Sequence, residues 1–460
     1  MLTKAIRREL VTAPTIVIWV VDASLSMKAG RDELAEHIDV LHADASKQAD
    51  ADGSHELKSV VVSFGQQTHV VTPAPLGHQS KLNTLIREIE SDESGTENVF
   101  TAVATAAATF KRFRSEKDKH NLVMVIVTDE RGDDDEHLEA AVKLCSDAGI
   151  RVFCLGHAAP FGQVEGFVQF VFEDGFAQDF PVDRGPETTM PLYLDLSKWG
   201  NSREQISSGF GPFALSRLCA TTGGKFVIVE DAAEHRFAAD VMEKYKPDWQ
   251  TSAQDMVKTL DRKRDVARIA LLQAAHLTSV KQLQPPPLEY RADTDAAFRT
   301  AAPKAQRAVA VLDYRTNELT QLLKAGEKQR DSLDDPRWQA SFDLAMGRAL
   351  AMRTRTMLLN VRLAQMKSSP QPLKKAGNNT WILSASDDLG GVSTLQKLAA
   401  QASEYLQRVV DEHAGTPFAF VARLELKRGF GWSWTEAKRE YPAEAAPPKR
   451  SSRVRRVGKL

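Results

Sequence analysis

Two stretches carry the pattern of strands buried on both faces. Thr15 to Val21 reads Thr-Ile-Val-Ile-Trp-Val-Val, and Asn121 to Val127 reads Asn-Leu-Val-Met-Val-Ile-Val, with no alternating polar positions. Apolar, β-branched runs of this length predict strands covered above and below by other elements. Leu57 to Phe64 is a third strand; Gly65-Gln66-Gln67 and Thr68 to Thr72 follow it, predicting a hairpin with one antiparallel edge strand. Ile150 to Leu155 and Lys225 to Val229 complete the set. Helical spacing predicts helices over Arg31 to Lys47, Lys81 to Ile89, Asn98 to Arg112, Glu136 to Ala148 and Phe213 to Thr221, the last closed by Gly223-Gly224. Strand and helix in alternation predict an α/β fold with a doubly wound, mostly parallel sheet.

The rhythm breaks between residues 158 and 211, where Pro160, Pro181, Pro186 and Pro191 and several glycines stand. So long a structureless loop is unusual inside a domain, so this stretch is expected to be an insertion at the strand ends, with a small hairpin around Phe167 to Phe172. From about Asp240 the pattern turns helical: Val257 to Leu283, ended by Pro285-Pro286-Pro287, then Ala292 to Leu333, Pro336 to Met366, Gly391 to His413 and Pro417 to Lys427. Thr416 and Pro417 form a cap and first-turn proline for the last helix. Ser368 to Gly377 reads as a linker and Trp381-Ile-Leu-Ser as a short extended piece. Arg337 to Leu350 faintly resembles a tetratricopeptide helix, without a clean repeat period. The expected organisation is an α/β domain over residues 1–238 with the insertion at about 158–211, a helical domain over 239–440, tetratricopeptide-like in this one segment, and a basic disordered tail over 441–460.

Composition narrows the classes. The 460 residues are 42% hydrophobic and 26% charged, an ordinary globular balance that excludes a disordered or collagen-like chain. Sixty basic residues against sixty-one acidic ones leave a net charge of -1, so no global field draws the protein to nucleic acid or anionic lipid. Cys145, Cys154 and Cys219 fit neither a disulfide framework nor zinc spacing and are expected to be core residues in a reducing compartment. The longest early apolar run is too short to span a bilayer, and no apolar segment of a signal peptide follows Lys4, Arg7 and Arg8. A cytoplasmic location is therefore expected, and an extracytoplasmic or anchored one if the true start lies upstream.

The segment richest in chemistry is Asp22-Ala23-Ser24-Leu25-Ser26, directly after the first buried strand. Ligands of open α/β sheets bind outside the carboxyl ends of the strands, and a carboxylate with two hydroxyls at alternate positions can face one point there. Such oxygen donors suit magnesium, manganese or calcium better than zinc. Two further segments reach the same rim: Thr128-Asp129 ends the central strand, and Gly95-Thr96-Glu97-Asn98 precedes the helix beginning near Val99.

With Asp22-x-Ser24-x-Ser26, Thr96 and Asp129 in this order, the chain resembles von Willebrand factor A domains and their metal-ion-dependent adhesion site over about residues 10 to 235. The resemblance implies that Ser24 and Ser26 bind a metal directly. It implies that Thr96, Asp22 and Asp129 bind directly or through water. The implied metal is Mg2+, with Mn2+ or Ca2+ as alternatives, and the implied partner is a protein whose Asp or Glu completes the coordination. The insertion departs from the compact family pattern, and the layout with a helical second half resembles large bacterial proteins of this kind.

The expected function is a non-enzymatic, metal-dependent protein-binding module on a helical scaffold. The alternatives are a metal-assisted hydrolase using Asp22, Asp129 and Glu130, and a structural subunit whose metal site has no function. Simpler readings stand beside the remaining features. Asp133-Asp134-Asp135-Glu136 reads as acids at a helix N-terminus, Glu130 as a solvated loop acid and His157 as an ordinary hydrogen-bonded histidine. Phe161, Phe167, Phe170, Phe172, Phe176 and Phe180 read equally as a contact surface or as a core private to the insertion, and Trp432 and Trp434 as packing for the last helix. The tail from Lys449 to Lys459 has six basic residues and no acid, and reads as a solvated end able to touch an anionic surface; no nucleic-acid partner is expected.

Overall fold

The structure is a computed structural model that describes residues 2–52, 55–77, 79–115, 119–171, 175–196, 206–229, 235–281 and 283–441. Of the basic tail expected over 441–460, residues 442–460 lie outside the described residues, as does Phe172.

The first half contains helices α1 (Leu2–Thr12), α2 (Lys28–Asp52), α3 (Gln79–Arg87), α4 (Val99–Phe110), α5 (Leu138–Asp147) and α6 (Phe213–Thr221). Its strands are β1 (Thr15–Asp22), β2 (Leu57–Phe64), β3 (Thr68–Val70), β4 (Asn121–Val127), β5 (Arg151–Gly156), β6 (Glu165–Val171), β7 (Ala177–Asp183) and β8 (Phe226–Ile228). Six strands form one sheet in the order β3-β2-β1-β4-β5-β8, parallel except for the edge strand β3. All eight residues of β1 are buried because each face meets helices. Ile16, Ile18 and Val20 pack with Val103, Ala141 and Leu215 of α4, α5 and α6, while Val17, Trp19 and Val21 pack with residues of α1, α2 and α3 such as Ile6, Ile38 and Leu82. The α/β fold expected from the strand pattern is thus observed.

Helix α1 was absent from that expectation. Ile6 and Leu10, four residues apart, bury one stripe against the sheet, and Lys4, Arg7 and Arg8 occupy the same helix.

The second half adds α7 (Ala239–Met242), α8 (Ala253–Thr259), α9 (Val266–Val280), α10 (Asp295–Gly326), α11 (Pro336–Ser368), α12 (Ser393–Glu412) and α13 (Pro417–Arg428), with strands β9 (Glu289–Arg291), β10 (Thr380–Ser386) and β11 (Gly431–Ala437). The helix expected from Val257 to Leu283 is broken. Asp261 Oδ1 accepts from the backbone N–H groups of Lys263 (2.8 Å) and Arg264 (2.9 Å), and this local turn competes with helical hydrogen bonding before α9 begins. Thr416 Oγ1 accepts from Ala419 N at 3.2 Å and caps α13 as expected. Helices α10 and α11, of 32 and 33 residues, each span what a tetratricopeptide repeat divides between two helices. The extended piece at Trp381 is the middle strand of an antiparallel sheet, β11-β10-β9. Trp432 and Trp434 lie on β11, and Trp432 Nε1 donates to the Arg355 carbonyl of α11 at 2.8 Å.

The insertion forms the antiparallel β6–β7 hairpin and then a segment that packs on the helical half. Phe161, Leu194, Ile206 and Phe210 share one core with Leu323, Phe342 and Phe418. The insertion's aromatics are therefore divided: Phe161 and Phe210 join the two halves, Phe180 is buried and Phe176 is exposed. At this junction Arg337 Nη1 of α11 donates to Glu187 Oε1 at 2.7 Å, with both side chains buried.

Candidate metal centre

The loop after β1 is held in place from both sides. Asp22 Oδ1 accepts from Ser24 N (2.7 Å), closing a short turn, and Ala23 N donates to the Phe64 carbonyl of β2 (2.7 Å). Arg31, buried in the first turn of α2, donates to the carbonyls of Asp22 (3.0 Å) and Ser24 (2.8 Å) and to Ser91 Oγ (3.0 Å). The neighbouring loop fits closely as well: a Cβ on Gly65 would lie 2.2 Å from Asp92 Oδ2, which accepts from Gln66 N at 2.8 Å. Only glycine admits this approach.

Four of the five residues singled out from the sequence come together. Asp22 ends β1 and Asp129 follows β4, the adjacent parallel strand. Ser24 Oγ lies 3.0 Å from Ser26 Oγ, and Ser26 Oγ donates to Asp129 Oδ1 at 3.2 Å. Thr96 is half-buried on the neighbouring loop, but no hydrogen bond ties its hydroxyl to the other four. Its neighbour Glu97 is the residue that reaches the cluster. Asp22, Glu97 and Asp129 each place a ligand atom within 4.8 Å of the others, and all three are buried.

Sequence reasoning missed Glu97 because Thr96 and Glu97 are adjacent in an irregular segment, and spacing alone does not say which one turns inward. It also missed Thr128, whose Oγ1 donates to Asp22 Oδ2 at 2.7 Å and fixes that carboxylate from the β4 side. Arg31 carried no sequence signal at all. Thr128→Val keeps the volume and removes this donor. It is expected to destabilise the chain by about 1–3 kcal/mol, because a buried carboxylate oxygen loses its partner; denaturant unfolding checks this, and an unchanged midpoint refutes it.

The surroundings set the electrostatics. Burial, above all, raises the Asp22 carboxyl, against the opposing hydrogen bonds from Ser24 and Thr128. Burial and then the charge of Asp22 push Asp129 up to about 6, with the Ser26 hydrogen bond and the Arg184 charge acting the other way. Glu97 is held well above the carboxylate range by burial, then by the charges of Asp22, Glu130 and Asp129. Glu130 is buried, not the solvated loop acid expected. His157 is pushed down to about 4 by burial and by Arg184 and stands outside the carboxylate cluster. One acid of the Asp133 to Glu136 run serves the N-terminus of α4: Asp134 accepts from Phe100 N (3.0 Å) and Thr101 N (2.7 Å). Asp133 Oδ2 accepts from Glu97 N at 3.0 Å.

Three carboxylates this close and this buried cannot all carry charge without a compensating cation. Glu97 Oε2 is buried with no hydrogen-bond partner. An all-oxygen set of three carboxylates and two hydroxyls therefore fits a hard divalent ion.

Comparison with known proteins agrees with the fold. Residues 17–165 match the sequence model of the von Willebrand factor type A domain. This part of the chain is a von Willebrand factor type A domain. The match spans β1 to β5, and the domain's remaining strand, β8, follows the insertion. No curated protein sequence matches the chain. Among solved structures, proximal thread matrix protein 1 of the mussel byssus, one structure of which is described with a zinc-occupied MIDAS motif, is 14% identical over 32% of this chain at a TM-score of 0.26. The chain spans 38% of the length of that mussel protein. An uncharacterised membrane-spanning protein of Vibrio fischeri is 14% identical over 48% of this chain and 92% of its own, at a TM-score of 0.17. Among the described residues of the present chain, no helix is long and apolar enough to cross a membrane. The A domain thus presents its acidic cluster at the carboxyl ends of its central strands, with the insertion beside it.

Proposed function

We propose that the chain is a metal-dependent protein-binding protein and not an enzyme. Its A domain holds a divalent cation, Mg2+ first among Mg2+, Mn2+ and Ca2+, and recognises an acidic side chain of a partner protein. The observation that carries this reading is the buried convergence of Asp22, Glu97 and Asp129 beside the Ser24 and Ser26 hydroxyls. A bound cation supplies a positive point that a carboxylate from another molecule can ligate. Asp22 and Asp129 balance its charge, Ser24 and Ser26 contribute neutral donors, and Thr96 stands on the half-buried rim beside them. Thr128 and Arg31 hold the loop that carries the donors. The acids that a hydrolytic reading would recruit as a base belong to the cluster or adjoin it, and are better suited to balancing the ion than to activating water.

The helical half, joined to the A domain through the insertion, sets the geometry of the module or docks a second partner. The three cysteines are buried and free, which favours a reducing compartment and supports a cytoplasmic location. The test is capture of partners from native extract by the full chain, with magnesium and with chelator. Capture is expected only with the metal and is expected to be lost in Asp22→Ala. Equal capture in chelator overturns the reading.

A further inference from the structure

An acid of the chain itself, Glu97, stands inside the cluster. Glu97 is 3% exposed, and its carboxylate stands with those of Asp22 and Asp129. Asp22 is 0%, Ser24 5% and Asp129 6% exposed, so an acid arriving from solvent finds none of these donors open. Ser26 and Thr96, both half-buried, form the outer edge.

The backbone at Glu97 is pinned. Its N–H donates to Asp133 Oδ2 (3.0 Å), its carbonyl accepts from Asp133 N (2.8 Å), and α4 begins two residues on. The side chain is held only within the acidic cluster: it shares a hydrogen bond with the Asp22 carboxyl, while its Oε2 is buried without a partner. A flexible side chain on a fixed backbone can leave the cluster by rotating about its own bonds, with no rearrangement of the loop.

We infer that Glu97 is itself a ligand of the cation and occupies the position an incoming acid needs, so that the site is held by the chain's own carboxylate until a partner displaces it. This rests on the reading of the cluster as a metal site and deepens it. Two consequences follow. A third carboxylate strengthens the hold on the ion, because affinity in all-oxygen sites rises with ligand charge. It also makes partner binding a competition: the partner's acid must exceed the local advantage of a tethered one, since an intramolecular ligand acts at high effective concentration.

The test uses the full chain with Mn2+ alone as metal and acetate as carboxylate probe. Water-proton relaxation reads how many exchangeable waters the bound ion retains. In the wild-type chain, acetate is expected to leave that number unchanged. In Glu97→Ala, the bound ion is expected to carry one more exchangeable water, acetate is expected to remove it, and affinity for Mn2+ is expected to fall about tenfold. If Mn2+ binds both proteins with equal hydration and equal response to acetate, Glu97 is not a ligand; the inference fails and the metal site stands. If the wild-type chain does not bind Mn2+ better than Asp22→Ala, the metal site itself fails and the inference with it. Should Glu97→Ala not fold, Glu97→Gln keeps the side-chain volume. Unchanged affinity and unchanged acetate response in that variant also overturn the inference.

Discussion

Saturating the metal-free chain with a divalent cation is expected to raise its melting temperature, and by more near about pH 7.5 than near about pH 5. The reason lies in proton linkage. Burial and the charge of Asp22 raise the Asp129 carboxyl to about 6 in the folded chain, and Asp22 and Glu97 are raised too. In the unfolded chain these carboxyls return to ordinary values. Between those values and about 6, the folded state therefore binds more protons than the unfolded state. The stability this gives the metal-free protein is fully present below the unfolded values and is lost as pH rises through the folded ones. A cation takes the place of those protons, so its stabilising effect grows across the same window. At a free metal concentration about a thousandfold above the dissociation constant the gain is about 4 kcal/mol.

Asp22→Ala removes a central carboxylate and is expected to abolish the metal-induced gain, even though the metal-free variant sheds a buried charge and need not be less stable than the wild type. Asp129→Asn isolates the titration: the difference between it and the metal-free wild type should change between about pH 4 and about pH 6. A metal-induced shift that is flat with pH, or equal in Asp22→Ala, contradicts the assignment of these carboxylates to the ion.

The second large effect concerns the seam between the two halves. Glu187→Ala is expected to destabilise the chain by about 3–5 kcal/mol, because it leaves the Arg337 guanidinium buried without its carboxylate. Arg337 also donates to the Tyr245 carbonyl, and its guanidinium carbon lies 5.2 Å from the ring centre of Phe210 and 5.7 Å from that of Phe418. One side chain thus ties the insertion to the helical array, and the cost of stranding its charge falls on both. The double variant Glu187→Leu/Arg337→Met is expected to recover most of the loss, since apolar side chains of similar volume do not carry the desolvation cost of separated charges. Guanidinium unfolding, followed through both helical content and tryptophan emission, measures this. A loss below about 1 kcal/mol in Glu187→Ala would mean that apolar packing alone seats the insertion.

The limits of the sequence reading follow from the range of the interactions. β1 and β4 were visible because a strand covered on both faces must be apolar at every position, and that requirement is written locally. The caps at Thr416 and Pro417 were visible for the same reason. β9 and β11 were not, because Glu289–Arg291 is short and polar and Gly431–Ala437 gains its partner only when β10 arrives from 45 or more residues away. Helix α1 did carry a local signal, Ile6 and Leu10 at helical spacing, but its basic residues were read only as a chain start. At the site, Asp22, Ser24, Ser26 and Asp129 were legible because they end or follow predicted strands. Glu97 was not, since its inward turn depends on Asp133 from another loop.

The order of apolar and polar residues by itself determined a doubly wound sheet, the edge at which its donors gather, and oxygen chemistry there, since these follow from periodicity and from residue type at strand ends. Only the tertiary structure decided how many carboxylates share the site, that they are buried and therefore short of positive charge, and that the insertion binds the sheet domain to the helices. Those properties depend on the distance between loops far apart in the chain and on the solvent removed when they meet, and neither quantity is encoded at any single position.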